Sequence, residues 1–139
     1  MRNGAKRHWL PILLGGLQVF IGTGDVPAGL IFILDPSGGG LGFSPELLEG
    51  TFLRNYLIPG LVLLGVNGLG SLLGGALSFR RHRYTGAVGI VLGALLIAWI
   101  VTQVAMIGLV HWLQPLYFGL GVVEVILALL VRRRLPGSV

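Results

Sequence analysis

Leu57–Phe79, LIPGLVLLGVNGLGSLLGGALSF, runs for 23 residues without a formal charge, and Arg80-Arg81-His82-Arg83 follows at once. At about 1.5 Å per residue a helix of this length spans about 34 Å, enough to cross a hydrocarbon layer of about 30 Å. Backbone amides in lipid have no water to bond, so an uncharged run of this length predicts a membrane helix. The basic cluster behind it predicts a cytoplasmic end.

Composition agrees with that reading. Of 139 residues, 54 % are hydrophobic and only 11 % are charged, against roughly 25 % charged in soluble proteins. The mean hydropathy is +0.88. So few polar residues cannot cover a water-facing surface, and the length suits one domain, 1–139. The net charge of +5 would suggest nucleic acid in a soluble protein, but the basic residues sit just outside apolar runs and form no aromatic groove. They are better read as orientation signals and contacts to anionic lipid headgroups, with no nucleic-acid partner. The chain has no cysteine, which excludes disulfides, thiolate chemistry and cysteine-ligated zinc or iron–sulfur sites.

Working outward, three more spans appear. Residues 1–8 read as a short basic tail, and apolar sequence runs from about 9 to 34 with Trp9 at its edge. The start mimics a secretory signal, but no small-x-small cleavage site closes the apolar region, so it reads as a retained helix. Gly22-Thr23-Gly24-Asp25-Val26-Pro27 interrupts it with weak helix formers, a charge and a proline. One kinked helix over 9–34 is expected; the alternative ends the helix near Asp25. Further spans fall at about 85–110 and 115–131, the last stopping at Arg132-Arg133-Arg134. The second span is drawn from 56 to 79.

Residues 35–55 form the one sizeable loop. Gly38-Gly39-Gly40 favours loop backbone, while Ser44-Pro45-Glu46 reads as an N-cap, a first-turn proline and an early acid. A short interfacial helix over about 45–53 is expected, with Leu47, Leu48 and Phe52 on apolar material. The fold class is therefore all-α: a four-helix transmembrane bundle with one extracytoplasmic loop.

Four spans put Arg2, Lys6, Arg7, Arg80, Arg81, Arg83, Arg132, Arg133 and Arg134 on one side, nine of the ten basic residues, and leave Arg54 opposite. The positive-inside rule places both termini in the cytoplasm of a bacterial inner membrane. A faint duplication is also visible. Tyr56-Leu57-Ile58-Pro59 matches Trp112-Leu113-Gln114-Pro115, and each is followed by Gly-Val; Gln18-Val19 likewise echoes Gln103-Val104. Chance similarity between glycine- and leucine-rich helices explains the same pattern.

Asp25 and Glu124 are the only carboxylates within the spans. An intramembrane acid is costly unless paired, protonated or facing water, so each is a candidate site. Counting helix rise puts Glu124 level with Gln18 and near Asn67, and Asp25 level with Thr102 and Gln103. Glu124, Gln18, Asn67, Asp25 and Gln103 are thus the candidate ligand-binding residues; the competing reading makes them interhelical hydrogen-bond glue. Arg80, Arg81, Arg83, Arg132, Arg133 and Arg134 are candidate lipid-headgroup contacts or simple topological anchors. His8 and His82 fall on one side and His111 on the other, so no metal site is expected, and nothing points to a catalytic set or a cofactor. With 24 glycines, Gly70-x-x-x-Gly74 and Gly89-x-x-x-Gly93 read as close-packing faces.

The series LDPSG, TF…YLIPG and W…Q…LQPLY resembles small bacterial four-helix integral membrane proteins of uncharacterised activity. The resemblance implies the four-helix plan and no chemistry. The leading expectation is a membrane protein that binds or moves a small solute or lipid through a polar site in the bundle. The alternative is a non-catalytic accessory or assembly subunit of a larger membrane complex, using the 35–55 loop. Self-association is expected in either case.

Overall fold

Each of the four apolar runs becomes a helix because backbone pairing within the helix leaves only apolar side chains to face outward. The structure, a computed structural model, describes residues 2–43, 45–51, 53–109, 111–135 and 137–139, and the side chains of all but 2–8 and 45 among these. The helices are α1 (Arg2–Leu34), α2 (Leu57–Phe79), α3 (Thr85–Ile107) and α4 (Leu113–Arg134). All four contain stretches long and apolar enough to cross a membrane. No strand occurs among the described residues.

Several boundaries differ from the sequence expectation. The segment read as a basic tail is the first turns of α1, which begins at Arg2. The same helix passes Asp25 and Pro27 without ending. A proline removes one hydrogen bond, but the stretch beyond it is held by packing: a Cβ on Gly29 would lie 2.5 Å from Leu64 N and 2.8 Å from Gly60 O. At its far end α4 runs on through Arg132–Arg134, since arginine is a good helix former and its charge suits a helix C-terminus. Gly108, with φ at 80°, ends α3 at Ile107, short of position 110.

Within α2 the seven residues Leu63–Leu69 are π-helical, flanked by α-helix at Leu57–Val62 and Gly70–Phe79. The loop holds two short 3₁₀ turns, Gly39–Leu41 and Pro45–Leu48, instead of an interfacial helix over 45–53. Gly50, with φ at 80°, breaks any continuation. The Ser44 cap and the Phe52 contact fall outside the described residues.

Glycine lets the helices touch. In the first hairpin, α1 against α2, Gly29 and Gly60 meet backbone to backbone. In the second, α3 against α4, a Cβ on Gly93 would be 2.9 Å from Gly121 O, and one on Gly121 would be 3.2 Å from Gly93 O. Gly86 and Gly89 continue that seam against Arg132 and Ala128. The core is layered along α1. Phe32, Leu48, Tyr56 and Leu63 pack at the loop end, Ile21, Leu96 and Ile100 in the middle, and Leu14, Ala128 and Val131 at the arginine end. Polar side chains lie between these layers.

Candidate functional site

Asp25 falls on α1 between the middle and loop-end layers, Gln18 between the middle and arginine-end layers. These two positions define two polar levels.

At the arginine end, Gln18 and Glu124 are both fully buried. Ser78 Oγ donates to Gln18 Oε1 at 2.6 Å and lies 2.9 Å from Gly74 O. Gly74 and Gly89 make room for the Gln18 carboxamide: an added Cβ would stand 3.0 and 3.5 Å from its Nε2. That amide is close enough to act on the Glu124 carboxyl. Yet neither Gln18 Nε2 nor either Glu124 oxygen forms a hydrogen bond among the described residues. Proximity without a formed bond is the better description. Asn67 is buried on the π-helical segment, its Nδ2 also unpartnered. Its neighbour Gly68 packs on Val26, nearer the level of Asp25.

At the loop end the helices part around a cavity of about 160 Å³. Asp25 is on its wall, only 6 % exposed, with Oδ2 unpartnered. Gln103, Gln114, His111 and Tyr117 complete the polar lining. Gln114 Nε2 donates to Gln103 Oε1 at 3.0 Å, and His111 N–H donates to Gln114 Oε1 at 3.1 Å, so α3, the outer turn and α4 are tied together. The Tyr117 hydroxyl reaches α1 beside Asp25: a Cβ on Gly24 would lie 2.6 Å from it. Trp99, Phe32 and Phe43 supply aromatic wall.

The loop roofs this space. Phe43 and Tyr56 pack on Phe32, with centroids 5.7 and 5.0 Å apart, and Phe43 reaches His111 at 6.3 Å. Tyr56 N–H donates to Pro36 O at 2.8 Å, closing the loop on itself. Burial holds the Tyr56 hydroxyl above its ordinary range. Leu48 and Leu53 also turn inward, against the same cluster.

The five candidate residues therefore divide into two groups. Asp25 and Gln103 share the cavity; Gln18 and Glu124 share the arginine-end level and do not line that cavity; Asn67 belongs to neither set of contacts. Tyr117, His111, Gln114 and Trp99 were not candidates from sequence, although the depth count that paired Asp25 with Gln103 would have reached them. The six arginines Arg80, Arg81, Arg83, Arg132, Arg133 and Arg134 are all exposed at the opposite end. Val139 N–H donates to Arg83 O at 2.9 Å, so the C-terminus packs on the turn between α2 and α3. Among the described residues no group of three histidines or carboxylates is placed to hold a metal ion.

Comparison with protein-family models, curated proteins and solved structures finds no match for this chain.

Proposed function

We propose that this protein binds a small solute within the membrane, in the loop-capped cavity walled by Asp25 and Gln103. The observation that carries the reading is Asp25 itself: a carboxyl nine-tenths buried, on a cavity wall, with an oxygen that no described residue satisfies. Leaving a buried acid unpartnered costs several kcal/mol at membrane depth, and a bound solute offsets that cost. The size suits the role, since an engineered cavity of about 150 Å³ holds benzene.

The Gln18–Glu124 layer, with Asn67 above it, is the polar ground that a solute moving on toward the arginine end would meet. In this reading the chain lies in a bacterial inner membrane with both termini cytoplasmic, and the exposed arginines contact anionic headgroups. The accessory-subunit reading wants apolar loop residues turned outward. Phe43, Leu48 and Leu53 pack inward instead, which favours solute binding.

The test uses Trp99, which lines the cavity. Trp9→Phe and Trp112→Phe leave it as the sole reporter among the three tryptophans. In lipid nanodiscs, benzene-sized solutes are expected to shift its emission, and Ala28→Phe, which fills the cavity, is expected to abolish the shift. Solutes that leave Trp99 unmoved, or that act equally on the filled variant, would sink the reading.

A further inference from the structure

Beyond the presence of a solute site, the wall of the cavity selects a chemical class. We infer that its ligand is a small organic monocation, an alkylated ammonium compound of about seven heavy atoms, with its charge against Asp25 and its alkyl groups on the aromatic wall; this rests on the cavity being a binding site.

Four observations converge. Among the described residues, Asp25 is the only carboxylate lining the cavity, and no lysine or arginine lines it. An anion would thus meet a buried acid with no countercharge, and a neutral solute would leave that acid unpaired. Aromatic rings come from three helices and the loop: Phe32 from α1, Trp99 from α3, Tyr117 from α4 and Phe43 from the roof. The negative faces of such rings attract a desolvated cation, alkylammonium groups above all. The remaining titratable groups on the described wall are His111 and Tyr117, and His111 Nδ1 accepts the Leu113 N–H at 3.1 Å.

A metal cation fits poorly. Sodium-, magnesium- or calcium-like ions take about six oxygen ligands in place of their hydration. The wall has one carboxyl, two glutamine side chains and a phenol, and the two glutamines are already bonded to one another. His111 adds one imidazole, whose Nδ1 already accepts the Leu113 N–H, and Trp99 an indole that can only donate; the rest of the described wall is hydrocarbon. An alkylated ammonium is weakly hydrated and needs one countercharge plus apolar contact, which is what the wall holds.

The experiment compares three compounds of one shape in the single-Trp99 protein in nanodiscs: choline, its neutral isostere 3,3-dimethyl-1-butanol, and the anion 3,3-dimethylbutanoate. Choline is expected to bind at least about tenfold tighter than the isostere, and the anion not at all. Asp25→Asn should bring choline and the isostere within about twofold, while Asp25→Glu keeps the preference. The wild-type comparison needs no variant to fold. Equal binding of choline and the isostere, tighter binding of the anion, or an unchanged preference in Asp25→Asn overturns the cation assignment and leaves the cavity a solute site. If none of the three moves Trp99, nor any solute of the wider panel, the binding reading falls with it.

Discussion

Ser78 and Gln18, sixty positions apart, are joined by a 2.6 Å hydrogen bond that pins the arginine end of α2 to α1. Ser78 is fully buried there, as is its partner. Interhelical bonds of this kind average about 0.6 kcal/mol in membrane proteins, with a maximum near 1.7. Ser78→Ala also leaves Gln18 Oε1 without its donor, so its cost should lie in the upper half of that range. Reversible unfolding in mixed micelles, with Gln18→Leu and the double variant to close a cycle, measures the coupling directly.

Glu124→Gln should raise stability. Both carboxyl oxygens are buried without a hydrogen-bond partner, and the carboxamide keeps the shape while removing the acid. A gain of about 1 kcal/mol is expected, read from the same unfolding assay. A residue whose neutral replacement stabilises the fold is one retained for something other than stability. A loss of stability would instead make Glu124 part of the glue.

At the α3–α4 seam, Gly93→Val has nowhere to go. Its Cβ would stand 2.6 Å from Val125 Cγ2 and 2.9 Å from Gly121 O, and a backbone carbonyl cannot swing aside. Helix separation costing about 1–3 kcal/mol is expected. Gly119→Val, where nothing lies within 4 Å, is the matched control and should be near neutral.

The loop roof should loosen in acid. Ser37 Oγ donates to Asp35 Oδ1 at 2.6 Å, and with help from the Ser37 and Gly40 backbone it holds the Asp35 carboxyl below its ordinary 3.8. A carboxyl lowered on folding stabilises the loop above its ordinary value, and that contribution is lost as pH falls through the lowered one. Hydrogen exchange of residues 38–43 should therefore accelerate below about pH 4. Ser37→Ala should narrow the pH window of that change.

Reporter fusions after Gly39 and after Arg81 are expected to report opposite sides of the membrane, with the arginine side cytoplasmic. The same compartment for both would overturn the four-span arrangement.

The four apolar helices were legible because length without charge is a local property, and the uncharged stretch Leu57–Phe79 coincides with the second helix, one residue shorter than the span drawn from 56. Their ends were less so: α4 continues through Arg132–Arg134, where the sequence expectation stopped the span, because a charge does not say where a helix stops. The π-helical turns at Leu63–Leu69 have no sequence signature; within them Gly68 packs closely on Val26. Depth counting paired Asp25 with Gln103 and Gln18 with Glu124, since helical rise is regular. It could not show which level opens into a cavity. That depends on Phe43 and Leu41 coming down from the loop and on Tyr117 reaching α1, contacts that no local pattern encodes. The apparent duplication fares unevenly. Leu57 and Leu113 each begin a helix, yet Gln18 and Gln103 lie at opposite ends of the bundle, and Gly121 is buried where Gly65 is exposed.

The seven π-helical residues of α2 have a consequence for how this chain tolerates changes of length. Relative to regular α-helix, π-helical winding takes up one extra residue, so one residue fewer between Leu63 and Leu69 would restore regular winding and leave the rest of the helix close to its present phase. Winding the same seven residues as regular α-helix would instead turn everything beyond them by about 100°. Gly75 would then swing away from Val19, and Ser78 away from Gln18, although no residue in either contact had been touched. The segment behaves as a shim: it sets the phase between two halves of one helix, so that both present their small residues to the same neighbour.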